Sequence, residues 1–143
     1  MKRIYAVNYG HEGPFISYGV NDTSKAEYYR KNEPVKTLLL KSGNRRSRSS
    51  MQAIRLNGGE WTSYFVNSNE DFNASITLRV KAEKPGSELL VDINKKSQRF
   101  ELPDTSWQDL LIDDFLIKEG PDSIYTIASK GTIELLHFDI TKK

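Results

Sequence analysis

The sequence predicts an all-β protein, an antiparallel β-sandwich that takes in residues 1–143 as a single domain. The chain has 143 residues, 37% hydrophobic and 28% charged, which suits one soluble domain with a single core. From Trp61 onward, apolar and polar residues alternate in short segments, as at Ile76, Leu78 and Val80 of NASITLRVKA. This period of two is typical of strands with one buried face.

The later strands are predicted by the same alternation and by the turns between them. In ELLVDIN, the residues that share a face are Leu89, Val91 and Ile93. Residues that favour turns cluster in NSNED, EKPGS, INKKS, LPDTS, KEGPDS and SKG. In the last segment, TIELLHFDI, the residues on one face are Leu136, Phe138 and Ile140. We expect this last strand to lie inside a sheet.

The pattern before Trp61 is less regular. GHEGPFISYG predicts one strand at Phe15–Tyr18, between turns rich in glycine. DTSKAEYYRKNEP fits a short helix with Asp22 as its N-cap and Pro34 as its stop, and KTLLLKS fits a strand after it. Residues 42–50, SGNRRSRSS, include no apolar side chain and predict a surface loop.

The composition argues against several classes of partner. The chain has no cysteine, so no disulfide framework marks an oxidising compartment. No run approaches the roughly 18 apolar residues of a membrane helix, because Asp113 and Asp114 interrupt LLIDDFLI. A formal charge of +2 is too small to imply a nucleic-acid or membrane partner by itself. We therefore expect no nucleic acid and no membrane among the partners.

The residues that catalysis would need are sparse. His11 and His137 are the two histidines, and we expect them to lie apart, one after the first strand and one within the last. The sequence has no cysteine nucleophile, no glycine-rich phosphate loop and no histidine cluster with metal-ligand spacing. Asp113 and Asp114 are neighbours on a predicted strand, so their side chains should point to opposite faces and could not act as a glycosidase pair. The sequence does not predict an enzyme.

The order of motifs resembles the carbohydrate-binding modules of families six and thirty-five. LNGGEWTSYFVN is followed by SITLRVKA, LLVDIN, FELPDTSWQDL, KEGPDSIYTIAS and IELLHFDI. The family pattern is a Gly-Asp-Trp-x-x-Tyr-x-Val strand, a turn with tryptophan, and two closing strands. The start of the chain, IYAVNYG with DTSKAEYY behind it, is similar to malectin-type domains. Both resemblances imply a galactose-binding-like jelly roll.

The resemblance also implies a sugar site. In the related modules, the tryptophan of the turn stacks on a sugar ring at the loop end of the sandwich, and Trp107 takes this position, with Gln108 beside it. The opposing position falls near Arg55, and the ligand-contacting residue of the last strand falls near Glu134. An arginine can stack on a ring or bind a carboxylate or sulfate, and Glu134 could accept hydroxyl hydrogen bonds or neutralise Arg55.

Simpler interpretations stand beside each of these assignments. Trp107 could belong to the core, although its polar neighbours favour a ligand platform. Trp61 matches the buried strand of the family together with Tyr64 and Val66, and we expect it in the core. Arg55 and Glu134 could be ordinary solvated strand residues.

A structural calcium is possible but poorly supported by the residues. Family-six modules open with a Glu-Ala-Glu strand whose carboxylates help to hold calcium, and this chain has Tyr-Ala-Val-Asn at residues 5–8. The weak candidate ligands are Asn8, Glu12 and Asp139. Calcium takes six to eight oxygens, which these residues do not supply.

The sequence therefore predicts a non-catalytic module that binds a polysaccharide or oligosaccharide, appended to a catalytic domain of a secreted protein and located outside the cell or at its surface. The glycan is expected to be anionic because Arg45, Arg46, Arg48 and Arg55 lie within eleven residues that include no acid. One alternative is a structural β-sandwich without a ligand, an accessory domain of a larger glycoside-active enzyme. Another takes NRRSRSS as a phosphate-binding loop for nucleic acid.

Overall fold

The structure is a computed structural model that describes residues 2–10, 13, 17–21, 33–39, 52–94 and 96–143. The basic loop predicted over 42–50 lies outside these residues, as does most of the helix predicted from Asp22. The described part of the strand predicted at Phe15–Tyr18 is short, because β2 covers Tyr18–Gly19.

The described residues form eleven strands and one short 3₁₀ helix, Ala6–Asn8. The strands, in chain order, are β1 (Lys2–Tyr5), β2 (Tyr18–Gly19), β3 (Lys36–Leu39), β4 (Gln52–Leu56), β5 (Trp61–Ser68), β6 (Phe72–Ala82), β7 (Ser87–Ile93), β8 (Lys96–Leu102), β9 (Gln108–Ile117), β10 (Gly120–Lys130) and β11 (Ile133–Lys142). The predicted strands from Trp61 onward and the strand in KTLLLKS are confirmed.

Two antiparallel sheets pack face to face. The six-stranded sheet has the order β3-β4-β11-β6-β9, with β1 also paired to β11. The five-stranded sheet has the order β2-β5-β10-β7-β8. The last strand lies inside its sheet, between β4 and β1 on one side and β6 on the other, as predicted. The all-β antiparallel sandwich of jelly-roll type is confirmed.

The apolar residues of the alternating segments form the core between the sheets. On β6 and β7 the buried residues recur at every second position, which is the pattern that the sequence predicted. The largest fully buried side chains include Tyr9, Tyr64, Phe138, Ile54, Leu56, Ile76, Leu78 and Leu89. The Tyr64 hydroxyl donates to the Ala6 carbonyl over 2.8 Å, so its polar end is satisfied inside the core.

Two bulges shift side chains from their expected faces. On β11 the register shifts between Leu135 and His137, so Leu135 is buried and Leu136 is half-buried. The prediction that Leu136 shares the buried face of Phe138 is therefore wrong, because one extra residue resets the alternation. Phe138 and Ile140 are buried as predicted.

The second bulge corrects the prediction for Asp113 and Asp114. Asp114 has a φ of 58°, and Lys143 Nζ lies 3.0 Å from Asp113 Oδ1 and 2.8 Å from Asp114 Oδ1. The two carboxylates therefore approach the same ammonium group instead of pointing to opposite faces. Left-handed backbone at one of two neighbours breaks the strand alternation that the prediction assumed.

Trp61 is the third correction. Its side chain is half-buried and lies outside the core, on the outer face of the five-stranded sheet. Thr62, Tyr64 and Val66 face inward, so a residue at an odd position on β5 faces outward. The indole covers Gly19 of β2 so closely that a Cβ there would lie 2.3 Å from Trp61 Nε1.

Candidate functional site

One end of the sandwich collects the turns that pass from one sheet to the other. We call it the loop end, and its turns are residues 57–60, 83–86, 103–107 and 131–132. The register places the beginnings of β9 and β11 and the ends of β4 and β6 at this end. The residues that the sequence assigned to a sugar site all belong to these segments.

A row of charged side chains crosses the six-stranded sheet at the loop end. The register pairs Lys36 with Arg55, Arg55 with Glu134, and Glu134 with Lys81. Directly opposed residues on neighbouring strands share a face, and the adjacent residues Leu56, Ile133 and Ala82 are buried in the core, so the row faces outward. We call Lys36, Arg55, Glu134 and Lys81 the charged row.

Arg55 and Glu134 form an ion pair at the centre of this row. Arg55 Nη2 lies 3.3 Å from Glu134 Oε1, and the side chains are 41% and 15% exposed. Arg55 Nε is buried and has no hydrogen-bond acceptor among the described residues. The structure thus brings the two residues together, and the guanidinium keeps a donor that this ion pair does not use.

A groove opens beside the ion pair. Its volume is about 400 Å³, and its walls are Arg55, Lys81, Ala82, Glu83, Thr105 and Glu134. Thr105 belongs to the turn that carries Trp107, so the groove joins the charged row to that turn. The lining is mostly polar, which suits a hydroxylated or charged ligand better than an apolar one.

Trp107 is half-buried at the end of this turn, directly before β9. Asp104 Oδ1 shapes the turn by accepting bonds from the Ser106 amide at 3.0 Å and the Ser106 hydroxyl at 2.6 Å. Both bonds lower the pKa of Asp104 below its usual value, and the bond from the Ser106 hydroxyl has the larger effect. Since Gln108 pairs with Val80, continuing the register by one residue sets Trp107 opposite Lys81, on the face of the charged row.

Gln108 takes the opposite orientation. Its partner Val80 is fully buried, so the Gln108 side chain faces the space between the sheets. Gln108 Nε2 is buried without a hydrogen-bond partner among the described residues. Gln108 is not among the walls of the groove.

A second surface of interest lies on the opposite side of the sandwich. Trp61, Phe65 and Tyr125 lie on the outer face of the five-stranded sheet, and we call these three residues the aromatic face. The Trp61 and Tyr125 rings are 5.6 Å apart at an angle of 60°, and Phe65 is 50% exposed. Sequence reasoning missed this surface, although the odd positions of Trp61 and Phe65, next to inward-facing Tyr64, carried the signal.

Of the three weak calcium candidates, the structure describes Asn8 and Asp139. Asp139 accepts two bonds from Arg3, Nε to Oδ1 at 2.8 Å and Nη2 to Oδ2 at 3.0 Å. The hydrogen bond to Arg3 lowers the pKa of Asp139, and it raises the pKa of Arg3. Asn8 is exposed, and Glu12 lies outside the described residues. Among the described residues, no group of three or more His, Cys, Asp or Glu side chains could hold a metal ion, and calcium at Asn8, Glu12 and Asp139 stays a prediction.

His137 lies near the same ion pair. Tyr5 packs edge-on against it, with ring centroids 6.2 Å apart. Burial lowers the pKa of His137, and the positive charge of Arg3 lowers it further.

The described part of the chain has no helix with both the length and the apolar character to cross a membrane.

Comparison with known proteins identifies the fold. A scan against protein-family models finds no match, and a search of the curated proteins finds none. The C-terminal CBM6 of LamC, a laminarinase from Zobellia galactanivorans, matches with a TM-score of 0.67 and 17% identity, over 99% of this chain and 98% of that chain. A carbohydrate-binding module CBM36 in complex with calcium and xylotriose matches with a TM-score of 0.63 and 9% identity, over 99% of this chain and 100% of that chain.

A third match places the same fold within a larger enzyme. The Podospora anserina GH26-CBM35 β-(1,4)-mannanase matches with a TM-score of 0.64 and 13% identity, over 99% of this chain and 27% of that chain. At these identities the comparison concerns the fold. The chain has the antiparallel β-sandwich fold of the carbohydrate-binding modules of families 6, 35 and 36.

Proposed function

We propose that the chain is a non-catalytic carbohydrate-binding module whose site is the groove at the loop end. The observation that carries this proposal is that the charged row, the groove and the turn of Trp107 meet on one outer face of the fold. A sugar ring has an apolar face that packs on an indole, and its hydroxyl groups need polar partners at the rim. The groove offers the polar partners, and Trp107, which lies outside its walls on the turn of Thr105, offers the indole.

The spacing of the strands suggests how the ligand lies. Trp107 adjoins β9 and Arg55 lies on β4, with β6 and β11 between them. Strands are about 4.8 Å apart, so the two side chains begin roughly 14 Å apart, which is farther than one sugar ring reaches. We therefore propose that an oligosaccharide crosses the strands, stacks one ring on Trp107 and places another at Arg55 and Glu134.

We propose further that this glycan carries uronate or sulfate groups. The charged row has three cations, Lys36, Arg55 and Lys81, and one acid, Glu134, while Glu83 adds a second acid to the walls of the groove. Glu134 neutralises part of the charge of Arg55, and Lys81 forms no ion pair with the residues that the structure describes. Arg45, Arg46 and Arg48, which motivated the anionic prediction from sequence, lie outside those residues.

We propose that the module transforms no sugar. Asp113 and Asp114 are the two acids that the bulge brings together, and both are exposed and bound to Lys143. Hydrogen bonds from Lys143 and Ser75 lower the pKa of Asp113. A general acid in a glycosidase needs a raised pKa, so Asp113 has the wrong electrostatics for that role.

The mannanase match supports attachment to a catalytic domain. We propose in addition that the whole protein is secreted. The same match is compatible with a second candidate function, in which the chain is a structural sandwich that binds no ligand and packs on such a domain. The observation that favours this candidate is the aromatic face, where an exposed Phe65 lies on the same face as the half-buried rings of Trp61 and Tyr125, because apolar side chains grouped on a surface suit contact with another domain.

Calorimetric titration tests the proposed function. A neutral glucan or galactan and its sulfated or uronate counterpart are titrated at low and at high salt. The proposal expects binding of the anionic polymer that weakens as salt rises, since exposed charge pairs are screened over about 8 Å at physiological ionic strength. Preference for the neutral polymer without salt dependence would remove the anionic part. No binding of any glycan would favour the structural sandwich.

A further inference from the structure

Glu60 is a buried acid close to the proposed site. It ends the turn 57–60 between β4 and β5, and its side chain is almost fully buried, with the residue 3% exposed. A glutamate is seldom buried unless it is paired. Among the described residues, Glu60 has no cationic partner, and its carboxylate is instead satisfied by backbone amides. A buried charge held in this way fixes the groups around it.

Each oxygen of Glu60 holds a different segment. The backbone amide of Asn57 donates to Glu60 Oε1 over 2.7 Å, and the backbone amide of Asn21 donates to Glu60 Oε2 over 2.6 Å. Asn21 also donates from Nδ2 to the Gly58 carbonyl over 3.3 Å. Hydrogen bonds to a charged acceptor are about twice as strong as neutral ones. Glu60 thus ties the segment at Asn21 to the turn between β4 and β5.

A second link runs from Asn57 to β11. The Thr132 hydroxyl donates to Asn57 Oδ1 over 2.9 Å. Asn57 and Thr132 are the next two residues in the register of β4 and β11, where Leu56 pairs with Ile133 and Arg55 pairs with Glu134. The Glu83 amide, from a wall of the groove, donates to the Thr132 carbonyl over 3.1 Å.

We infer that Glu60 is a positioning residue for the loop-end groove, acting through Asn57 and Thr132 on the ion pair of Arg55 and Glu134. This inference rests on the proposed function, because the groove matters only if it holds a ligand. Glu60 does not line the groove, so its effect on affinity comes from holding the walls in place before the ligand arrives.

The test compares two ways of cutting this network. Glu60→Gln replaces one carboxylate oxygen by an amide that cannot accept, so one backbone amide loses its partner. Thr132→Val removes the hydroxyl that reaches Asn57, and Thr132→Ser keeps it. The matched control is Thr126→Val, which removes a buried hydroxyl bonded to Thr62 over 2.9 Å and leaves every side-chain bond of Glu60 and Asn57 in place.

Two measurements separate positioning from stability. The first is the affinity for the glycan that the wild type binds best, measured where each variant is fully folded. We expect Glu60→Gln to weaken binding about tenfold, the loss of one hydrogen bond to a charged acceptor, and Thr132→Val to weaken it about threefold, the loss of a neutral one, with Thr132→Ser and Thr126→Val near the wild type. The second is amide exchange of Asn21 and Asn57 in the free protein, which should speed up about tenfold in Glu60→Gln alone.

The outcomes are distinct. Unchanged affinity in both Glu60→Gln and Thr132→Val, with a wild type that binds, would overturn the inference and leave the proposed function standing. If the wild type binds no glycan, the proposed function fails, and the exchange rates still decide whether Glu60 fixes the turn. If Glu60→Gln does not fold, the contrast between Thr132→Val and Thr132→Ser carries the test.

Discussion

The two outer faces of the sandwich offer opposite chemistry. The six-stranded sheet carries the charged row and a polar groove at its loop end, whereas the five-stranded sheet carries the aromatic face. In the first, side chains meet across strands as an ion pair, Arg55 with Glu134. In the second, rings cover each other and the backbone, as Trp61 covers Gly19.

Aromatic residues therefore do not by themselves predict where a sugar would bind on this fold. Trp61 and Tyr125 have their rings against each other, and part of their apolar area is already used within the fold. Trp107 lies at the end of a polar turn whose neighbour Thr105 lines a groove. We therefore base the proposed site on the turn of Trp107.

The largest expected effect separates the core from the aromatic face. Tyr64→Ala should lower the free energy of unfolding by about 3–5 kcal/mol, because it removes a buried ring. Trp61→Ala should cost about 1–2 kcal/mol, since the indole is half-buried on the surface. Denaturant melts measure both. Equal losses would mean that Trp61 belongs to the core after all.

The second prediction concerns glycan affinity. Trp107→Ala should weaken binding by about 2 kcal/mol or more, as expected for a tryptophan at the centre of a site. Trp61→Ala is the control, with affinity near the wild type. Affinity electrophoresis compares the two variants. A reversed result, with binding lost in Trp61→Ala and kept in Trp107→Ala, would move the site to the aromatic face.

The third prediction concerns charge. Arg55→Gln should weaken binding of an anionic glycan by about 1–2 kcal/mol and reduce its salt dependence. Glu134→Gln should act in the opposite direction on the electrostatic part, because it leaves Arg55 without its neutralising partner. Titrations at two salt concentrations measure both. The same salt dependence in the wild type and both variants would mean that Arg55 and Glu134 do not contribute to binding.

The smallest expected effect is a pH dependence of stability at His137. Burial and Arg3 lower its pKa in the folded protein, below the value of about 6.5 that it has when unfolded. The unfolded chain therefore binds more protons in this window, so the stability is full above about pH 6.5 and declines as pH falls toward the folded pKa. Melts of the wild type and of His137→Gln, compared between about pH 5 and 7, isolate the contribution of His137 to this pH dependence. Parallel curves would contradict it.

Much of the architecture could be predicted from the sequence. Alternation predicted the strands from Trp61 onward, and the family resemblance named Arg55 and Glu134, which the register pairs across β4 and β11. The outward orientation of Trp61 could also have been predicted, because Tyr64 and Val66 stand at even positions of the strand and Trp61 at an odd one. The general shape follows from local patterns, which the sequence carries in full.

The remaining features depend on register, which the alternation does not encode. The bulges at Leu136 and Asp114 each add one residue that resets the faces beyond it. The pairing of Arg3 with Asp139 needs β1 and β11 aligned, two segments at opposite ends of the chain. The inward orientation of Gln108 likewise follows from its partner on β6.

We place the proposed glycan site on the outer face of the six-stranded sheet at the loop end. Backbone amide shifts of the labelled protein, followed while a uronate or sulfated oligosaccharide is added, locate the bound ligand. We expect shifts at Arg55, Lys81, Thr105 and Glu134, the walls of the groove, and unchanged signals at Phe65 and Tyr125. Shifts confined to Phe65 and Tyr125 would overturn this assignment and move the site to the aromatic face.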